Sequence, residues 1–137
     1  MRFADTNVLL YAVSALSEDA VKRGRALELL NEGELAISVQ VLQEFYYQST
    51  RPSRKASITQ EQALRFIESI DVFPIQEVTL DLFRAGVSIS QRFGLSYWDG
   101  AILAAARATG CDAVYSEDMS SEQDYDGLRV INPFVGH

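Results

Sequence analysis

"MRFADTNVLLYAV", residues 1–13, joins two hydrophobic patterns across one acidic residue. Arg2 to Ala4 reads as a short strand and the following residues as a helix, with Asp5 at the boundary. The same order recurs downstream. "ELAIS" (34–38) is a short buried strand, and "SVQVLQEFYYQST" (38–50) continues as a helix with Val41, Leu42, Phe45 and Tyr46 on one face. Between them, "SEDAVKRGRALELLNEG" (17–33) is a helix that Ser17 can cap and Gly33 ends. After the loop "RPSRKAS" (51–57), "TQEQALRFIESI" (59–70) opens on a Thr59–Gln62 capping box. "DVFPI" (71–75) reads as a strand that Pro74 places at an edge or at its end. "TLDLFRAGVSISQRFG" (79–94) is a helix closed by Gly94, and Ser96 to Thr109 is the last long helix. "DAVYS" (112–116) and "LRVIN" (128–132) are the final strands, separated by the polar loop "EDMSSEQDYDG". Strands alternating with helices imply a three-layer α/β/α fold with a mostly parallel sheet. With no linker or internal repeat, residues 1–137 read as a single domain.

Composition narrows the chemistry. The chain is 47% hydrophobic and 23% charged, ordinary for a soluble globular protein. Cys111 is the only cysteine, which excludes an intramolecular disulfide and fits a reducing, cytoplasmic setting. The apolar run Val8 to Val13 is too short for a signal-peptide core or a membrane span. The only histidine, His137, is the last residue and reads as mobile, so histidine-dependent triads and zinc sites are disfavoured. No glycine pattern matches a dinucleotide or nucleotide-phosphate loop. Chemistry, if there is any, falls to carboxylates.

The net charge of −7 is the wrong overall sign for nucleic-acid binding, although charge can be segregated. The densest basic segment, Arg51, Arg54 and Lys55, reads either as a solvated loop or as an RNA contact; Lys22 to Arg25 is second.

In open α/β sheets, ligands bind beyond the carboxyl ends of the strands. Asp5 follows the first strand, Glu117 and Asp118 follow "DAVYS", and Glu44 lies in the second turn of the helix after "ELAIS". Asp99 stands at the start of the last long helix. Each has a plain alternative. Asp5 reads as an N-cap, Glu44 as a solvated helix acid, Asp99 as the partner of Ser96 in a capping box, and Asp118 as a turn residue. If they converge, their repulsion calls for a cation, and all-oxygen sites suit Mg²⁺ or Mn²⁺ and phosphodiester cleavage.

"ADTNVLLY", "QEFYY", "SYWDGAILAAA" and "YSEDM" resemble, in order and spacing, the motifs of PIN-domain ribonucleases, most closely VapC-type toxins of bacterial toxin–antitoxin pairs. The resemblance runs to the terminal "GLRVINPF". It implies a Mg²⁺- or Mn²⁺-dependent endoribonuclease whose metal-binding acids are Asp5, Glu44, Asp99 and Asp118, with Glu117 able to share or replace the last. It gives Thr6, Asn7 and Ser116 supporting roles behind those ligands. It also implies an RNA substrate, a homodimer and a cognate antitoxin, with partner contact expected near "EFYYQ" and "ITQEQALRFIESI". Of Tyr46 and Tyr47, at least one belongs to the core and either can stack on RNA bases.

Three other readings fit less well. A haloacid-dehalogenase-like phosphatase needs a second aspartate where Asn7 stands, and a receiver-like domain needs an acid pair that "ADTN" lacks. A PIN-fold module that binds RNA or a partner without cutting is the third.

Overall fold

The computed structural model describes residues 1–119 and 123–135; His137 and part of the "EDMSSEQDYDG" loop lie outside the described residues. The fold has three layers around a six-stranded sheet of order β3-β2-β1-β4-β6-β5. Its strands are β1 (Arg2–Ala4), β2 (Leu35–Ser38), β3 (Ile75–Gln76), β4 (Ala113–Tyr115), β5 (Asp124–Tyr125) and β6 (Leu128–Ile131). All pairings are parallel except that of β5 with β6. Helices α1 (Thr6–Ala12), α2 (Ala20–Glu32), α3 (Val39–Thr50) and α4 (Gln60–Ser69) pack against one another, and α5 (Leu80–Phe93) pairs with α6 (Tyr97–Ala108). Every residue of β2 and β4 is buried, as a sheet covered on both faces requires.

This strand order creates the geometry that matters. The chain leaves β1 toward β2 and β3, then crosses back to place β4 on the other side of β1. The crevice at the carboxyl ends of β1 and β4 is therefore the topological switch point, where open α/β sheets bind ligands.

Local chemistry explains most boundaries, and three expectations need correction. The 17–33 segment is not one capped helix. Ser17–Asp19 form a 3-10 turn before α2, and the Ser14 hydroxyl donates to Asp19 at 2.6 Å, so Ser17 caps nothing. The expected strand 71–75 is mostly a turn after α4, with the Phe73 amide bonded to the Ile70 carbonyl. Pro74 has no N–H to give the sheet, but its carbonyl accepts from Ile37 at 3.0 Å, and β3 begins at the next residue on the sheet edge. Finally, Asp124–Tyr125 form a strand inside the expected polar loop. Asp126 and Gly127 both have positive φ, 57° and 89°, the backbone of a two-residue hairpin turn for which Asp-Gly is suited. No helix among the described residues is long and apolar enough to cross a membrane.

Candidate active site

Asp5 caps α1 where β1 ends, and it is buried. One carboxylate oxygen accepts from the Thr6 amide at 2.7 Å and the other from the Ser116 hydroxyl at 2.8 Å. Ser116 itself is fully buried just past β4, so the bond ties the two strand ends together. Asp5 thus fulfils the plain N-cap reading and also faces the switch point.

Glu44 arrives from α3. Ser38 caps that helix by accepting from the Val41 amide, which puts Glu44 in its second turn as expected. The Thr6 hydroxyl donates to Glu44 at 2.8 Å and the Gln40 amide donates to it at 3.1 Å. Thr6 therefore links the first and second acids, through its amide and its hydroxyl.

Asp99 enters at the N-terminus of α6. A helix leading into a parallel strand starts at that strand's carboxyl edge, which brings α6 to the same crevice. The expected reciprocal capping box forms at α4, between Thr59 and Gln62. At α6 the cap is the Ser96 hydroxyl, which accepts from the Asp99 amide at 3.1 Å. The Asp99 carboxyl is half-buried, which raises its pKa; the Ser96 hydroxyl opposes this, while Asp118 and Glu44 push it further up.

Asp118 and Glu117 turn to different partners. Asn7 donates to the Asp118 carboxylate at 3.2 Å and accepts from the Glu117 amide at 3.4 Å, clamping the loop after β4. Glu117 faces away from the other acids. It accepts from the Tyr11 hydroxyl at 2.5 Å and pairs with Lys22 at 2.5 Å, while Lys22 also lies over the Tyr11 ring. The Glu117 contact raises the Lys22 pKa. Gln40 and Tyr11 were not singled out from the sequence, and Lys22 figured there only as part of a basic segment; Tyr11 and Lys22 reach Glu117 across elements remote in the chain, whereas Gln40 reaches Glu44 one turn away on the same helix.

Burial pushes the Asp5 carboxyl up to about 6, against the hydrogen bonds from Ser116 and Thr6 and with help from Glu44 and Asp118. Glu44 and Asp118 thus stand close enough to raise both the Asp5 and the Asp99 carboxyl. Among the described residues none of the four is ion-paired with a lysine or arginine. As the side chains stand, no group of three or more His, Cys, Asp or Glu among the described residues is arranged to hold a metal ion. The carboxylates are engaged by neutral hydroxyl and amide donors instead. The donor set nevertheless fits a hard divalent cation in its chemistry: oxygen ligands only, mutually repelling, and with no protein cation to neutralise them.

A stability consequence follows. Asp5 holds its proton more tightly in the folded chain, near pH 6, than at its ordinary value of 3.8. In chelator the folded state should therefore lose stability as pH rises from about 4 to about 6, by at most about 3 kcal/mol, and keep the lower value above that range. Asp5→Asn should flatten that part of a melting-temperature-against-pH curve. An identical slope in both proteins would remove Asp5 as its source.

The basic loop sits elsewhere. Arg51 follows the C-terminus of α3, and Arg54 and Lys55 line a small cavity with Leu10 and Val13 at the far end of α1. Tyr46 packs against the core while Tyr47 is 64% exposed, as expected for one tyrosine of the pair.

A three-layer fold with four acids near the ends of β1 and β4 defines an α/β protein whose candidate site lies at the topological switch point. The family model of the PIN domain matches residues 2–122, and the chain belongs to that family. Similar solved structures include a toxin–antitoxin complex from Klebsiella pneumoniae, 21% identical, with TM-score 0.71 over 97% of this chain and 98% of that one. VapC20 from Mycobacterium tuberculosis, a Sarcin-Ricin loop cleaving toxin, is 22% identical, with TM-score 0.67 over 86% of this chain and 90% of that one. VapBC2 from Rickettsia felis, bound to a DNA fragment from its promoter, is 19% identical, with TM-score 0.62 over 94% and 96%. At these identities the likeness is one of fold. No curated protein sequence matches significantly.

Proposed function

We propose that the chain is a metal-dependent endoribonuclease and the toxin of a toxin–antitoxin pair. The observation that supports the reading is that Glu44 and Asp118 act on both Asp5 and Asp99 near the ends of β1 and β4, while among the described residues none of the four is ion-paired with a lysine or arginine. Membership of the PIN family and the fold shared with toxin structures support it.

In this reading Asp5, Glu44, Asp99 and Asp118 hold Mg²⁺ or Mn²⁺. When bound, such an ion supplies Lewis-acid activation of water and neutralises charge on the phosphodiester. The residues around the acids do the positioning. Ser116 and the Thr6 amide fix Asp5, the Thr6 hydroxyl and Gln40 fix Glu44, and Asn7 fixes Asp118. Ser96, which caps α6 by accepting from the Asp99 amide, fixes Asp99 at the start of that helix. Lys22 and Tyr11 draw Glu117 aside, which makes Asp118 the better candidate for the fourth acid. Hydrolysis joins the water oxygen to phosphorus and breaks the bond to the 3′ oxygen, leaving a 5′-phosphate.

The reading carries its partners with it: an RNA substrate, a homodimer in the cytoplasm, and a cognate antitoxin that holds the enzyme inactive. A groove between α2 and α4, lined by Leu27, Leu30, Phe66, Ile70 and Phe73, offers an apolar seat for that antitoxin. It includes part of "ITQEQALRFIESI", where partner contact is expected from the sequence.

Purified chain should cut RNA pools with Mg²⁺ or Mn²⁺ and cease in chelator; no cutting of any pool would overturn the enzyme. The competing reading is a PIN-fold binding module without catalysis, favoured by the neutral donors that now engage the acids. Calorimetric titration with Mn²⁺ separates the two, because a module that has lost catalysis need not bind the ion.

The basic loop has its own test. If Arg51, Arg54 and Lys55 guide substrate, reversing their charge should weaken RNA binding and flatten its salt dependence, each lost phosphate contact lowering the log–log slope by about 0.7–0.9. Unchanged binding and slope would leave the loop as a solvated surface.

A further inference from the structure

Beside the acids, α3 and the start of α6 enclose an open groove of about 430 Å³. Its lining is Gln40, Gln43, Glu44, Tyr47, Gln48 and Trp98. The α3 residues recur at helical spacing, so they form one stripe, with Gln43 and Tyr47 exposed and Gln40, Glu44 and Gln48 half-buried. Tyr47 and Trp98 are each 64% exposed, far more than large aromatic side chains that serve a core.

Trp98 is held from behind. The Tyr97 ring meets it edge-on, with centroids 5.1 Å apart and planes at 72°, and Tyr97 rests in turn on Phe83 at 5.5 Å. The Gln40 amide donates both to Glu44 and, at 3.5 Å, to the Trp98 carbonyl, so the groove and the acid cluster share a brace. The indole is thus packed on one side and open on the other.

We propose that Tyr47 and Trp98 form a stacking platform for an unpaired nucleobase of the substrate strand next to the bond that is cut. This rests on the ribonuclease reading, and it deepens that reading by adding a base-binding subsite. Glu44 belongs both to the groove and to the acid cluster, so a strand with its phosphate at the acids passes over the two rings. The lining chemistry favours a base over a protein helix. It holds two flat aromatic faces and three side-chain amides able to pair with base edges, but no leucine, isoleucine or valine. The α2–α4 groove differs in that Leu27, Leu30, Leu35, Ile70 and Val72 line it beside Phe66 and Phe73. Stacking tolerates every base, so the platform selects single-stranded or splayed nucleotides before it selects sequence.

Trp98 is the only tryptophan, so its fluorescence reports on the site without any labelling. The whole chain is titrated in Mg²⁺ with a short 2′-O-methyl oligoribonucleotide and with an abasic strand of equal length and charge. The base-bearing strand should quench Trp98 saturably and bind about tenfold more tightly than the abasic one. Tyr47→Ala should weaken binding about tenfold and raise KM more than it changes kcat, whereas Tyr47→Phe, which keeps the ring, should recover most of the affinity that Tyr47→Ala loses. Exposure of Tyr47 makes misfolding of either variant a poor explanation for a loss.

Equal binding and quenching by the abasic strand would overturn the platform. So would emission that ignores every strand while the protein still cuts RNA, which leaves the ribonuclease intact without this subsite. Emission that tracks protein concentration rather than oligonucleotide would assign the face to contact between copies of the chain and also overturn it. A chain that neither cuts RNA nor responds to strands would take the ribonuclease reading down as well.

Discussion

Asp99→Asn is expected to lower Mg²⁺- or Mn²⁺-dependent RNA cleavage by about a hundredfold or more. Losing only an outer partner of a metal ligand typically costs about 10–100-fold, so losing a ligand's charge sets that range as the floor. Asp99 tests the site more cleanly than Asp5. Asp5 is buried, caps α1 and receives the Ser116 hydroxyl, so changing it disturbs both the fold and the chemistry. At α6 the cap is Ser96, which accepts from the backbone amide of residue 99 and keeps that bond when the side chain becomes an amide. Burial, Asp118 and Glu44 all disfavour the ionised Asp99, so the metal-free variant should melt no lower than wild type. Activity lost at unchanged or raised stability is the signature of an acid kept for function. Equal cleavage by wild type and variant, prepared identically, would remove Asp99 from the site or trace the activity to a contaminant.

Asp5 and Asp99 stand out in the sequence because each sits at a boundary that local chemistry marks, whereas Glu44, inside α3, has no such mark. Asp5 separates a strand pattern from a helix pattern, and Asp99 follows Ser96 at a helix start. Their convergence needed one more premise, that ligands gather at strand carboxyl ends, which the parallel order around β1 satisfies. What escaped depended on long-range partners. Glu117 and Asp118 are adjacent in sequence and equivalent by local reading. Lys22, 95 residues away, and Tyr11 draw one of them aside, while Asn7 holds the other. The hairpin of β5 and β6 was missed for a different reason. Its Asp126-Gly127 signal was present, but a strand of two residues carries too little alternation to stand out from a polar loop. The 71–75 run failed in the opposite direction: it is mostly a turn that buries Phe73 and leaves Val72 79% exposed, and so short a stretch carries no periodicity that separates such a turn from a strand.

Gly100→Ala should have the largest effect on stability, and with a sign opposite to intrinsic propensity. In an unhindered helix interior, alanine is favoured over glycine by about 1 kcal/mol. A Cβ at position 100, however, would lie 2.5 Å from the Gly86 carbonyl oxygen, 2.9 Å from Ser90 Cβ and 3.0 Å from the Ser90 amide nitrogen. Two of these are backbone atoms of α5, which cannot rotate away. Gly86 mirrors the arrangement, since a Cβ there would meet Ala101 Cα at 3.2 Å. The two glycines let α5 and α6 approach at backbone distance, and relieving the clash requires the helices to separate. Such overpacking costs about 1–3 kcal/mol even after partial relaxation. The melting temperature should therefore fall by roughly 5–10 °C. Gly24→Ala is the internal control: that exposed residue lies within α2 with nothing within 4 Å of its added carbon, so it should gain stability by about 0.5–1 kcal/mol. Equal effects at the two positions would refute the close approach. Because Asp99 immediately precedes Gly100, helix separation also displaces that carboxylate, so Gly100→Ala should lose cleavage below its melting transition while Gly24→Ala keeps it.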